Sequence, residues 1–417
     1  MIAKLLQAGY QVEVYDIDAA AAKQVLEKGA RWHDAPREAA RDSEIVITCL
    51  PLPHDVFENM TGEQGALAGM TPGSVWIDMS TTDYHNTVEI ARRAAAIGVD
   101  SLEAPASNLS HMGVDFANVS FFVGGPSEAY VRCETVLQTM GAVSFLVGDI
   151  GQGQSAKLLT NLLFYTAAVA SGHALCQSVQ EGVPAQQAWR KFVASSANSV
   201  AIEQFAPFLL DGSYDRSCTL EIAVKDMDLT VHLADELGVG LPIGRAVEKR
   251  YSEAGRKFDR YDSHLRVVEL AQASFGVRLQ VPGYSAPSKY GANPAYPPDQ
   301  EFLTDPVGRI KPKREHVFPL DDIPLTVIQI RLLKSLIGEL THVNRLILQE
   351  AFNLGRGMSL NDALIYDVIT WSVGASAWSD SHAQECSNEQ LVDLADAVAP
   401  PLTMIPDLIC TKMEEFS

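Results

Sequence analysis

Lys157 and Asn161 lie four residues apart in Gly151-Gln152-Gly153-Gln154-Ser155-Ala156-Lys157-Leu158-Leu159-Thr160-Asn161, a stretch that reads as the start of a helix. That spacing puts both side chains on one helix face, where an ammonium and an amide can meet the same small ligand. A lysine withdrawn from water in such a place can exchange a proton near neutrality. Taken alone, the pair fits a solvated lysine beside an unrelated asparagine equally well. Three further segments carry turn or hydroxyl residues directly after strand-like runs: Leu50-Pro51-Leu52-Pro53, Asp78-Met79-Ser80-Thr81-Thr82 and Glu103-Ala104-Pro105-Ala106-Ser107-Asn108. Ligands of open α/β sheets collect outside the carboxyl ends of the strands. Two such loops can line one cofactor, and the third can bring a hydroxyl to a substrate. Each also fits an ordinary turn or helix cap.

The elements that must position these residues follow from periodicity. Residues 12–15, 44–50, 74–79, 120–123 and 143–147 are β-rich, and 19–28 and 86–96 have helical spacing between them. This alternation predicts a Rossmann-type, doubly wound α/β domain over residues 1–150. An all-helical domain is expected over 151–275, opened by a long Ala- and Leu-rich helix between Gly151 and Gly182. A Pro- and Gly-rich connector covers 276–322, and helices resume over 323–417. The strand over 12–15 ends in Asp16. In a dinucleotide-binding βαβ unit such an acid lies about 20 residues after a Gly-rich turn and hydrogen-bonds the ribose. The chain reads as if it starts one strand and half a helix late, without that turn. The expected consequences are weak pyrophosphate binding and an exposed sheet edge, and a misplaced start is preferred to a functional deletion.

Composition narrows the classes. The 417 residues, 47% hydrophobic and 20% charged, are ordinary for a globular protein of two or three domains. A formal charge of -20, spread along the chain, disfavours nucleic acid and anionic membranes as partners. Six widely spaced cysteines without CxxC or a nearby histidine pair signal neither metal nor disulfides, and a cytoplasmic location is expected.

The last segment holds an internal repeat of 151–275. Laying Lys334 on Lys157 places Glu350-Ala351-Phe352 on His173-Ala174-Leu175, and after a two-residue gap Gly357-Met358 falls on Gly182-Val183, with Ser372 near Ser196. With no α/β domain in front of it, this degenerate copy is expected to cover an apolar helix face rather than to form a second active site.

The order of these pieces resembles the β-hydroxyacid dehydrogenase family, the relatives of 3-hydroxyisobutyrate and 6-phosphogluconate dehydrogenase. The likeness runs from Met1 to about Ala273. It rests on the acid-ended strand, the Leu-Pro loop, Asp-Met-Ser-Thr, Ala-Pro-x-Ser, Val123-Gly124-Gly125, Gly-x-Gly-x-x-x-Lys with Asn four later, Val224-Lys225-Asp226-Met227-Asp228-Leu229, Pro242 and Asp259-Arg260-Tyr261-Asp262-Ser263. The resemblance implies an NAD-dependent oxidoreductase acting on a β-hydroxy acid such as 3-hydroxyisobutyrate. Lys157 would be its general acid/base, with Asn161, Ser107 and Asn108 at the substrate and Asp16, Leu50, Pro51, Thr81 and Lys225 at the cofactor. Asp16 favours NAD over NADP, because a carboxylate there repels a 2′-phosphate. Asn108-Leu109 stands where the family has Gly-Gly, so a reshaped carboxylate pocket is expected. A homodimer is expected, although the repeat could satisfy itself within one chain. The alternatives are an imine or other carbonyl reductase, against which Lys157 counts, and a catalytically silent relative that binds ligands or acts as a scaffold.

Overall fold

The β-rich and helical runs near the start build a sheet with helices on both faces in the computed structural model, which describes residues 1–108, 119–215, 217–286, 323–370, 372 and 374–376, and the backbone of two short strands between 303 and 311. The chain divides into two compact units, Met1–Leu158 and Leu159–Ser417.

In the first unit the elements are α1 (Ile2–Gln7), β1 (Glu13–Val14), α2 (Ala19–Leu26), β2 (Arg31–Trp32), α3 (Pro36–Ala40), β3 (Ile45–Thr48), α4 (Pro53–Thr61), β4 (Val75–Asp78), α5 (Tyr84–Ala96), β5 (Asp100–Glu103), β6 (Ala106–Asn108), β7 (Val119–Gly124), α6 (Ser127–Met140) and β8 (Val143–Gly148). β3, β4 and β5 are parallel and in register, so that Thr48, Asp78 and Glu103 end side by side. β7 is antiparallel to β5 and β6 and parallel to β8. Pro105, which has no N–H to give a ladder, separates β5 from β6 along the same edge of β7.

Alternation along β4 explains the two faces. Val75 and Ile77 pack with Leu102, Phe121, Val123 and the Cys133, Leu137 and Met140 side of α6. Trp76 points the other way, among Val56 and Met60 of α4 and Ile90 and Ala94 of α5. A strand buried on both faces carries an uninterrupted apolar run until its last residue, Asp78. β1 pairs with β2, parallel, in a separate two-stranded sheet, packed with α2 through Val14, Ala22 and Ala30. Among the described residues β1 therefore has no pairing with the six-stranded sheet.

The second unit is helical. α7 (Gln152–Gln180) runs into it from the first unit and is followed by α8 (Ala185–Val193), α9 (Pro207–Leu210), α10 (Leu220–Glu236), α11 (Pro242–Lys257) and α12 (Val267–Phe275). The backbone pair β9 (Leu303–Thr304) and β10 (Ile310–Lys311) is antiparallel, and α13 (Val327–Gly357) and α14 (Asp362–Thr370) close the described chain. α7 spreads its apolar residues around its circumference without a solvent-facing polar side, as fits a helix enclosed by protein. By length and composition it could cross a membrane, yet 89% of its apolar window is buried inside the protein, which fits a core helix. Most of the expected connector and residues 377–417 lie outside the described residues.

Candidate active site

The carboxyl ends of β3 and β4 are joined by a polar chain. Trp76 Nε1 donates to Thr48 Oγ1 at 2.9 Å, and that hydroxyl donates to Asp78 Oδ1 at 2.9 Å. Asp78 Oδ1 also accepts from Ser80 N at 3.0 Å. Ser80 Oγ in turn accepts from Leu50 N at 2.9 Å, so the Leu-Pro loop and the Asp-Met-Ser-Thr loop are tied together. Pro53 has a local task as well: it starts α4, where a missing N–H costs nothing.

The first turn of α7 is fastened to the same strand ends. Gln154 Nε2 donates to Ser80 O at 2.8 Å while its Oε1 accepts from Thr82 N at 3.1 Å. Glu103 Oε1 accepts from Gly153 N at 2.5 Å. The glycines of the Gly-x-Gly motif permit this closeness. A Cβ on Gly153 would stand 2.5 Å from Phe122 O, and Gly151, at φ +99°, would drive one into the Tyr84 ring. Burial pushes the Glu103 carboxyl up to about 8, against the pull of the Gly153, Gln154 and Gly151 N–H groups and with Asp78 adding to the push. Lys157, one turn further along, is 9% exposed.

Ser107 on β6 is fully buried, and its hydroxyl has no hydrogen-bond partner among the described residues. Asn108 beside it is half-buried; Leu109 and Ser110-His111-Met112 lie outside the described residues. Thr81 is half-buried next to Ser80, and Pro51 is exposed. Asp16 sits apart, beyond β1; it is exposed, and its Oδ1 accepts from Asp18 N at 2.9 Å.

In the helical unit Asn161 and Lys225 meet through Asp226. Asn161 Nδ2 donates to Asp226 Oδ2 at 2.8 Å, and Tyr165 OH, the next α7 residue on that face, donates to the same oxygen at 3.1 Å. Lys225 Nζ stands 3.0 Å from Asp226 Oδ1. Asp226 is 3% exposed, and donors from two helices meet its carboxyl group. With Nδ2 committed to that carboxylate, Asn161 keeps its carbonyl oxygen for another partner.

Two family models match consecutive stretches. One describes the NAD binding domain of 6-phosphogluconate dehydrogenase and matches residues 1–148; the other describes the NAD-binding of NADP-dependent 3-hydroxyisobutyrate dehydrogenase and matches 151–271. The chain belongs to the β-hydroxyacid dehydrogenase family. Among its relatives, 3-hydroxyisobutyrate dehydrogenase of Pseudomonas aeruginosa is 29% identical over 259 residues, 60% of this chain and 87% of that one. The 3-sulfolactaldehyde reductase of Escherichia coli is 27% identical over 284 residues, 67% of this chain and 94% of that one. The structure of Mycobacterium tuberculosis 3-hydroxyisobutyrate dehydrogenase with L-serine shares the fold at TM-score 0.58 and 24% identity, covering 64% of this chain and 93% of that one. The family assignment brings an NAD(P)-dependent oxidoreductase with an α/β Rossmann-like domain followed by a helical one.

Sequence reasoning named Lys157, Asn161, Ser107, Leu50 and Thr81 but passed over four residues that hold them. Glu103 and Gln154 fasten the α7 turn, Ser80 joins the loops, and Asp226 fixes Asn161. Asp226 had a sequence signal, the Lys-Asp pair; the others act across 30 to 74 residues of chain and had none.

Proposed function

We propose that the chain is an NAD-dependent dehydrogenase that oxidises a β-hydroxy acid of the 3-hydroxyisobutyrate type, or reduces the matching carbonyl acid. The observation that carries this reading is the fastening of the first α7 turn to the ends of β4 and β5, which sets the nearly buried Lys157 one turn beyond a ligand-binding edge. The residues present fit the ribose and nicotinamide ends of a dinucleotide, while a Gly-rich turn for the pyrophosphate is not among them. The Leu50-Pro51 and Thr81 loops are tied at the strand ends, and Asp16 leaves one carboxylate oxygen toward solvent for ribose hydroxyls.

When bound, the nicotinamide supplies the hydride acceptor or donor. Lys157 Nζ takes the proton of the substrate hydroxyl as the carbon loses hydride, and returns it in the reductive direction. Asn161, held by Asp226, offers its carbonyl oxygen to that hydroxyl and keeps it oriented toward Lys157. The unpartnered hydroxyl of Ser107 is suited to a substrate carboxylate oxygen, with Asn108 beside it. Asp16 supports NAD rather than NADP. Cys49, Cys133, Cys176 and Cys218 form no disulfide among the described residues, which supports a reducing compartment such as the cytoplasm.

The test is NADH formation by the purified chain with a panel of 3-hydroxy acids, repeated with NADP. The reading predicts turnover of at least one branched 3-hydroxy acid with NAD preferred, and Asp16→Ala shifting the preference toward NADP by roughly tenfold. Cofactor binding without turnover of any hydroxy acid would favour a silent relative instead.

A further inference from the structure

The two described helices of the second segment match the first two helices of the first in order and length. α7 has 29 residues and α13 has 31; α8 and α14 have nine each. Without the two-residue gap used in the sequence alignment, an offset of 177 residues carries Ala185 onto Asp362, Val193 onto Thr370 and Ser199 onto Ser376, matching the bounds of α8 and α14. Ser199 and Ser376 are themselves bridge partners, in the antiparallel sense, with Val200 N donating to Ala375 O at 3.1 Å. A residue meets its own equivalent only on a two-fold axis.

The flanking contacts run in both directions, with those on α7 about one turn from the exact equivalents. From the first segment, Ser196 Oγ lies 2.9 Å from Thr341 Oγ1, and Ala197 O accepts from Asn344 Nδ2 at 3.3 Å. From the second, Gly374, the equivalent of Ala197, lies so close to α7 that a Cβ there would be 3.0 Å from Thr160 O and 3.1 Å from Leu163. Thr160 and Leu163 are within about one turn of Phe164 and Ala167, the equivalents of Thr341 and Asn344. Glu350 extends the join: its two carboxylate oxygens accept from Ile243 N at 2.8 Å and Gly244 N at 3.0 Å, capping α11. Leu333, Leu336, Leu340, Val343, Ile347, Leu348 and Leu354 of α13 are all buried.

We infer that residues 323–376 are a built-in partner: a second helical half docked on the first about a local two-fold axis, which fills the surface a second copy of the chain would otherwise take. The family models end at residue 271, so this partner lies beyond the stretch they match. It carries no second active site, because Gly338 and His342 stand at the offset positions of Asn161 and Tyr165. The homodimer expected from apolar helix faces is thus replaced, at this face, by association within one chain, whatever reaction the first half performs.

Ser199→Cys, Ser376→Cys and the double variant test this in the full chain under mild oxidation. Antiparallel bridge partners stand about 4.5–5.5 Å apart at Cα, within disulfide range. The expected result is a bond within one chain in the double variant, identified by peptide mapping at monomer mass, and no covalent dimer from Ser199→Cys alone. A covalent dimer formed by Ser199→Cys alone would overturn the inference, since on the axis of a true dimer that residue faces its own copy. Hydrogen exchange on the unaltered protein makes the test independent of variant folding. Protection of the α7 amides from 159 to 180 should be unchanged over a roughly hundredfold dilution, and protection that falls with dilution would contradict the built-in partner.

Discussion

α7 and α13 are similar in length, 29 and 31 residues, and they differ where chemistry would take place. Along one face α7 presents Lys157, Asn161 and Tyr165, the first nearly buried and the other two gripped by Asp226. At the offset positions α13 presents Lys334, Gly338 and His342; Lys334 is exposed, and an added Cβ on Gly338 would meet nothing within 4 Å. The packing pattern survives in both helices while the polar pattern survives in one. Apolar burial tolerates many side chains of suitable size, whereas a hydrogen-bonded cluster is lost with any one member. The two helices also cap differently. α7 receives its cap from Glu103 at the end of β5, while α13 gives one, Glu350, to the start of α11.

After Lys157 itself, the largest contrast is expected at Asp226. Asp226→Ala frees the Asn161 amide and leaves Lys225 without its carboxylate, and kcat should fall roughly 10²-fold with a smaller change in KM. Unchanged kcat in steady-state kinetics would remove Asn161 orientation from the account. Next comes Glu350→Ala, which strips two buried N–H groups of their acceptor. It should cost about 1–3 kcal/mol in denaturant unfolding and leave the KM of the folded enzyme unchanged.

The same two glutamates give stability a pH dependence. Burial raises Glu350 from 4.5 to about 7, opposed by the Ile243 and Gly244 N–H groups, and raises Glu103 to about 8. Above pH 4.5 these carboxyls ionise more readily in the unfolded chain. Stability therefore falls as pH rises toward 7 for Glu350 and toward 8 for Glu103, each by at most about 1.4 kcal/mol per pH unit, and levels off above. Glu350→Gln should flatten the lower part of that slope in unfolding curves taken from pH 5 to 8; an unchanged slope would mean that Glu350 is ionised throughout. The smallest effect belongs to Gly338→Ala. An exposed helical glycine in open space should gain about 0.5–1 kcal/mol, read as a rise in Tm, with kcat unchanged.

Much of this was legible in the chain itself. Alternating apolar periods disclosed the strands at 45–48, 75–78 and 143–148 and the long helix, because local burial writes a local pattern. Lys157 and Asn161 could be paired because one helix carries both. The antiparallel turn of β6 against β7 was hidden, since Pro105 breaks what would otherwise read as one strand. Glu103 looked like the end of a strand, and its capping of Gly153 fifty residues later leaves no trace in spacing. The Lys334 alignment reads as a repeat from the sequence alone, while the bridge between Ser199 and Ser376 depends on how two segments dock.

The most direct measurement compares Lys157→Ala with Lys334→Ala in one assay, following NADH formation from a 3-hydroxy acid that the unaltered protein turns over. The account predicts a loss of roughly 10²–10⁴-fold in kcat for Lys157→Ala and no change for Lys334→Ala. Equal rates for the two variants, or retention of full kcat without Lys157, would contradict the assignment of the chemistry to α7.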